Sequence, residues 1–180
     1  TMSHTPLWDM TPPMLREDLR TFRSNLQAVL PDGAATGLIG FRAPTFSLVQ
    51  RTRWALSVLA DEGFRYDSSI FPVANPVYGV NGCPLTAYRP SADDVRRHDE
   101  RGPLLELPMT VWQAAGLRVP VSGGFYLRAL PESVLLYALR RVARERPIVL
   151  YLHPWEACAR TPVVGVVLPV LPGLPRALST

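Results

Sequence analysis

The sequence predicts an α/β fold, layered or barrel-shaped, with mainly parallel strands. Three observations carry that expectation. Short apolar runs of strand length alternate with longer segments of helical periodicity. Four of those runs end on a polar residue followed by a bend, at Arg42, Asp67, Glu106 and His153. No repeat of fixed period is visible, and no apolar run reaches the roughly 20 residues that a membrane-spanning helix needs. A chain of 180 residues is long enough to bury a core of its own.

The elements follow in order. Thr11 can cap a first helix, Pro12 and Pro13 suit its opening turn, and Leu15, Leu19, Phe22, Leu26 and Leu30 recur at spacings of three or four. Pro31-Asp32-Gly33 stops it. The apolar run from Gly37 to Phe41 leads into Arg42. A second helix is expected from about Thr52 through Trp54, Leu56 and Leu59, closed by Gly63 in the C′ position. Phe64-Arg65-Tyr66 reads as a strand ending at Asp67. Residues 72–102 are rich in Pro, Gly, Asn and charge and read as loop with a short hairpin at most. Leu104–Leu107 is the next strand. Pro131-Glu132 opens a third helix with Leu135, Leu139 and Val142 on its inner face and arginines at its C-terminal end, where the helix dipole favours them. Ile148–Leu152 has the pattern of a buried strand, and it delivers His153.

Composition excludes some functions. With 47% hydrophobic and 19% charged residues the chain has the balance of an ordinary globular domain. All 19 basic residues are Arg and the formal charge is +4. The arginines are scattered or mixed with acids, as in Asp93–Arg101, and no aromatic residue stands beside the Arg pairs as a stacking platform for bases, so nucleic acid is not expected as a partner. Cys83 and Cys158 are too few for a disulfide framework and neither forms a CxxC pair. No basic-then-apolar leader stands at Thr1, and localisation, bacterial cytoplasm or cell envelope, stays open.

In a parallel α/β barrel the loops after the strands converge on one mouth, so the four polar strand ends are the first candidates for a shared site. His153 can be a strand-end histidine satisfied by a carbonyl, or a general acid, since an imidazole titrates near neutral pH. Trp155 beside it can be core packing or a platform for a sugar ring. His4, a lone imidazole near Thr1, has the pattern of a surface residue.

Longer motifs then add a resemblance. Ser3-His4-Thr5-Pro6-Leu7, Gly40-Phe41-Arg42-Ala43-Pro44-Thr45-Phe46-Ser47, Gly63-Phe64-Arg65-Tyr66-Asp67-Ser68-Ser69-Ile70-Phe71-Pro72 and Tyr151-Leu152-His153-Pro154-Trp155-Glu156 occur in this order. Together they resemble the polysaccharide deacetylase domain (NodB-homology, carbohydrate esterase family 4). The branch associated with bacterial exopolysaccharide loci is the most similar, through Pro120-Val121-Ser122-Gly123-Gly124-Phe125-Tyr126-Leu127-Arg128. The likeness runs over residues 1–158, leaving 159–180 as an irregular, proline-rich tail of the same domain.

The resemblance implies a distorted (β/α) barrel, incomplete at its N-terminal end, and a metal-dependent hydrolase that removes N-acetyl groups from a polysaccharide. His4 matches the second histidine of the family's H-[ST]-x-x-H metal motif; the first would fall one residue before Thr1. The family's T-F-D-D motif, with its catalytic base and a further metal ligand, has no counterpart in this chain. Arg42 matches the arginine that pairs with the base carboxylate, and His153 with Leu150 matches the L-x-x-H motif of the general acid. Asp67 is expected to orient His153. Gly123 and Gly124 would let the backbone approach a sugar, although a tight turn before a helix explains them equally well. Tyr126 and Trp155 would line the substrate groove. Zinc is the implied metal, with two of its three protein ligands outside this chain, so the 180 residues alone are expected to be inactive. Two other readings stay open: a cyclic-amide hydrolase of the allantoinase type, and a non-catalytic carbohydrate-binding module.

Overall fold

A computed structural model describes residues 1–30 and 37–157. The stop expected at Pro31–Gly33, Cys158 and the tail 159–180 lie outside the described residues.

Helix α1 (Pro12–Val29) begins where the capping pattern places it. Thr11 is extended, its carbonyl accepts the N–H of Leu15 at 3.0 Å, and Pro12 and Pro13 sit in the first turn, where their missing N–H groups cost nothing. The Thr11 hydroxyl makes no cap bond. Leu15 and Leu19 are buried, Phe22 and Leu26 half-buried and Leu30 exposed, so the helix leaves the core as it runs. Helix α2 (Ala55–Asp61) is shorter than the periodicity from Thr52 suggests, because Gln50–Thr52 form a separate 3-10 turn. Gly63, at φ 82°, ends it. Its N–H reaches Ala60 O at 2.9 Å and that of Phe64 reaches Leu59 O at 3.0 Å, the two bonds of a Schellman motif. Arg16 and Arg20 tie α1 to Asp61 and Glu62 at 2.6–3.3 Å. Such outward-facing pairs contribute little; the two helices are joined by burial of Leu15, Leu19, Leu56 and Leu59 in one cluster.

Strands β1 (Gly40–Phe41), β2 (Tyr66–Asp67) and β3 (Leu105–Glu106) form a parallel sheet in that order, with Phe41, Asp67 and Glu106 in register. Helix α2 lies on the crossover between β1 and β2, as parallel pairing requires. Residues 72–102 hold no helix or strand; their irregular path is pinned by single bridges, Tyr88 to Glu106 and Pro90 to His98. Glu106 thus has Asp67 on one side and Tyr88 on the other.

The chain then forms an antiparallel hairpin that the periodicity did not reveal, β4 (Val111–Ala114) and β5 (Leu117–Pro120). Its two-residue turn, Ala115-Gly116, has φ of 48° and 79°, the left-handed pair that matches strand twist. An alanine in the first of these positions is a weak signal, which is why the turn is hard to read. Helix α3 (Gly124–Ala129) is the helix that one of the two readings of Gly123-Gly124 placed after a tight turn, and α4 (Glu132–Ala143) opens at Pro131-Glu132 as predicted. Its inner face buries Ala138 and Val142, with Leu135 and Leu139 half-buried.

One strong expectation fails. Ile148–Leu152 is extended but is not a buried strand. The Val149 and Tyr151 N–H groups donate to hydroxyls, Thr110 Oγ1 at 2.7 Å and Ser122 Oγ at 2.9 Å. The carbonyls of the same two residues accept from Thr110 and Gly123. Side-chain hydroxyls replace the carbonyls of a ladder. Alternate residues point oppositely, so Val149 and Tyr151 pack inward while Leu150 and Leu152 are 43% and 47% exposed.

Candidate functional site

Beyond β1 and β2 the chain builds an open cavity of about 390 Å3, lined by His4, Arg42, Phe46, Tyr78, Tyr151 and His153 among others. His4, Arg42 and His153 come from three distant stretches of sequence, and folding brings all three to this one hollow. Among the described residues four non-glycine residues have positive φ, and three of them, His4 (53°), Thr45 (56°) and Phe46 (50°), line it. Left-handed backbone is costly for a branched or bulky residue, so packing around the cavity holds these residues in place.

Arg42 is fixed from below. Its Nε and Nη2 donate to Ser68 O and Ser68 Oγ, both at 2.8 Å, and its guanidinium lies 5.3 Å from the centre of the Tyr151 ring. No carboxylate of the described residues pairs with it, so its charge is free to meet an anionic group in the cavity. The Ser68 hydroxyl donates in turn to Leu107 O at 2.8 Å.

One residue deeper lies Asp67. Fully buried, it accepts the Ser69 hydroxyl at 2.6 Å and the Ser69 N–H at 3.1 Å, and Ser69 Oγ accepts the N–H of Ala43 at 2.7 Å. Asp67 therefore supports the loop after Arg42 and is not bonded to His153, contrary to expectation. The reason is geometric: β2 ends inside the sheet, with β1 and β3 on both sides. Its register partner Glu106 is equally buried; Oε1 accepts the Ile70 N–H at 2.9 Å, and Oε2 meets no N–H or hydroxyl donor among the described residues. Burial, and then the negative charge of Asp67, push Glu106 well above the ordinary glutamate range. Burial pushes Asp67 up too, against the pull of its hydrogen bonds from Glu106 and Ser69. A proton on Glu106 makes Oε2 a donor to Asp67, which satisfies both groups.

The partners of His153 are local. Tyr151 Oη stands 2.6 Å from Nε2. Burial raises Tyr151 above its ordinary range, so its hydroxyl keeps its proton, and the bond can run either way: O–H to Nε2 or Nε2–H to Oη, according to the imidazole tautomer. Nδ1 lies 3.3 Å from Glu156 Oε2, an ion-pair distance without hydrogen-bond alignment. The same Oε2 accepts the backbone N–H of His153 at 2.7 Å, and Arg128 approaches Oε1 at 3.5 Å. Burial would raise Glu156, but these contacts outweigh it and hold the carboxyl below the glutamate range. Tyr151 and Glu156 were missed in these roles, although Glu156 at i+3 from His153 across a proline turn was a readable signal.

The residues expected to bind substrate sit around this network. Gly123, at φ 94°, is the N-cap of α3, so the glycine pair does serve as a tight turn before a helix. A Cβ on Gly124 would overlap the Glu156 carboxylate; the space expected for a sugar is taken by that side chain. Tyr126 packs edge-on to Phe71, its hydroxyl 3.3 Å from that of Tyr78, one layer behind the cavity wall. Trp155 stacks on the His153 ring, centroids 4.1 Å apart, and is 56% exposed.

The donors among the described residues are too few to complete a zinc site. No three His, Cys, Asp or Glu side chains gather suitably among the described residues, and the cavity lining contains two imidazoles and no carboxylate. His4 could supply one ligand. No described helix is long and apolar enough to cross a membrane.

Residues 68–169, more than half of the chain, match the profile of a family described as a domain of unknown function, DUF3473. The chain belongs to this family. The DUF3473 segment contributes Tyr78, Tyr151, His153 and Glu156 to the site, while His4 and Arg42 stand before it. No curated protein and no solved structure matches the chain.

Proposed function

We propose that this chain forms much of the active cavity of a polysaccharide deacetylase, a hydrolase of the NodB-homology kind built on a distorted barrel and acting on N-acetyl groups of a bacterial exopolysaccharide. The observation that carries the reading is the convergence of His4, Arg42 and His153 on one cavity from positions nearly 150 residues apart.

Within this reading His153 is the general acid that protonates the departing sugar amine. Glu156 positions it by accepting the His153 backbone N–H and by setting its charge beside Nδ1. Tyr151 stands at Nε2, the atom from which the proton leaves toward the cavity, and can pass that proton on from its own hydroxyl. Arg42 offers its unmatched charge to the carboxylate that removes a proton from water. His4 is one ligand of a divalent metal, zinc by its preference for imidazole and carboxylate donors. The described residues around the cavity supply no further ligand and no base, so no step through the metal follows from its geometry. The carrying-over of roles rests on the resemblance and on this placement.

The test begins with the coding sequence ahead of Thr1. The reading expects a histidine immediately before Thr1 and T-F-D-D several tens of residues upstream. A chain extended to include them should release acetate from N-acetylglucosamine oligomers and leave allantoin untouched, and His153→Ala should lower acetate release about 100-fold or more. Intact upstream coding sequence without either motif, or turnover of allantoin alone, would overturn it.

A further inference from the structure

A second pocket, of about 270 Å3, opens beside the cavity and takes no part in the chemistry above. It is lined by Leu7, Trp8, Asp9, Arg51 and Trp54 with two neighbours. Two short 3-10 turns frame it, Leu7–Asp9 and Gln50–Thr52. The Arg51 guanidinium lies 5.3 Å from the centre of the Trp8 ring, a cation–π contact that holds an exposed arginine in place. Trp8 and Trp54 are both half-buried, and Asp9 is exposed.

The chemistry of the lining selects among occupants. A purely apolar ligand would leave Arg51 and Asp9 unmatched, and an anion would meet the Asp9 carboxylate. A pyranose ring offers what the wall asks for: a C–H face for an indole, and hydroxyls that accept from a guanidinium and donate to a carboxylate. The volume lies just below the range of drug-sized sites, fitting one or two sugar rings.

The pocket is tied to the cavity. Leu7 follows His4 by three residues, so its backbone lies within about 11 Å of the cavity wall at His4. The Leu7 N–H donates to Ser47 Oγ at 2.9 Å, and the Ser47 hydroxyl donates to Pro44 O at 2.6 Å, Pro44 being part of that wall. A glycan bound by its reacting unit at His153 needs to extend only a few units to reach Trp8.

We infer that the Trp8–Trp54 pocket is a sugar-binding subsite that grips a neighbouring unit of the polysaccharide chain. The inference rests on the deacetylase reading for its ligand class, while the geometry of the pocket stands without it. It also supplies binding remote from the reacting bond, which a hydrolase of long polymers can use to position its substrate.

The chain has four tryptophans, so its indole N–H resonances report directly. Titrating the 180-residue protein with the β-1,4-linked tetramer of N-acetylglucosamine should shift the Trp8 and Trp54 signals saturably. Trp112, whose ring packs against Tyr137, should stay in place. Trp8→Ala, and separately the exposed Arg51→Ala, should weaken the tetramer about tenfold, with a far-UV spectrum like that of the parent. Shifts confined to His153 and Trp155 would overturn the subsite and leave the deacetylase reading intact. Shifts at Trp8 and Trp54 from an extended chain that releases no acetate would keep the subsite and sink the reading. No shift at either place overturns the subsite, and acetate release then decides the reading alone.

Discussion

At the scale of single residues the molecule turns on where carboxyl groups sit. Burial and the charge of Asp67 raise Glu106 well above the range of an unfolded glutamate, so the folded chain releases that proton at higher pH than the unfolded chain does. The sign follows: above the ordinary carboxyl range this pair binds fewer protons in the unfolded chain than in the folded one, so its contribution to stability is greatest at low pH and falls as pH rises toward the folded value. Each pH unit in that window costs about 1.4 kcal/mol per proton held. Glu106→Gln keeps the acceptor for the Ile70 N–H and adds a neutral donor toward Asp67. Urea unfolding should show the variant gaining about 1 kcal/mol or more over the wild type at pH 7, with the difference shrinking below pH 4; equal slopes in both proteins would refute the shared proton. Gly124 is the second such residue, since a methyl group there meets the Glu156 carboxylate. Gly124→Ala should displace Glu156 and alter the ring nitrogen shifts of His153 as Glu156→Gln does. Unchanged His153 signals in both would remove Glu156 from its positioning role.

At the scale of elements, ends matter more than middles. Helix α2 has only seven residues, too few to persist by propensity alone, and depends on its buried face and its Schellman stop. Nothing lies within 4 Å of a Cβ placed on Gly63, so Gly63→Ala tests backbone conformation without a clash. With φ at 82° the substitution should cost about 1 kcal/mol. Thermal melts would read that as a drop of about 2–4 °C; no drop would mean the turn relaxes freely. The segment 148–152 teaches the complementary lesson. Apolar content alone resembled a strand, yet hydroxyls of Thr110 and Ser122 take its N–H groups and leave Leu150 and Leu152 outside.

At the scale of the whole molecule, the cavity has two imidazoles, two phenols and a guanidinium with no carboxylate partner among the described residues, which suits a site completed by acidic groups. The purified 180-residue chain should therefore retain well under one equivalent of zinc by elemental analysis, and His4→Ala should lower even that. Stoichiometric zinc in the wild type would show a ligand set that the described residues do not contain.

By itself the sequence determined the local rules. Pro12-Pro13 and Gly63 set helix ends, the strand ends beside Arg42 and at Asp67 and Glu106 fell where expected, and Arg42 and His153 stood out as strand-end candidates for one site, to which only the family resemblance added His4. These signals are local because caps, turns and strand termini depend on a few neighbouring residues. Tertiary structure alone decided which polar groups meet. Asp67 belongs to Glu106 and Ser69 because parallel strands place it between neighbours from elsewhere in the chain. His153 belongs to Tyr151 and Glu156, and Gly124 to the carboxylate above it. Such pairings depend on register and on close packing between distant segments, quantities that no window of sequence contains.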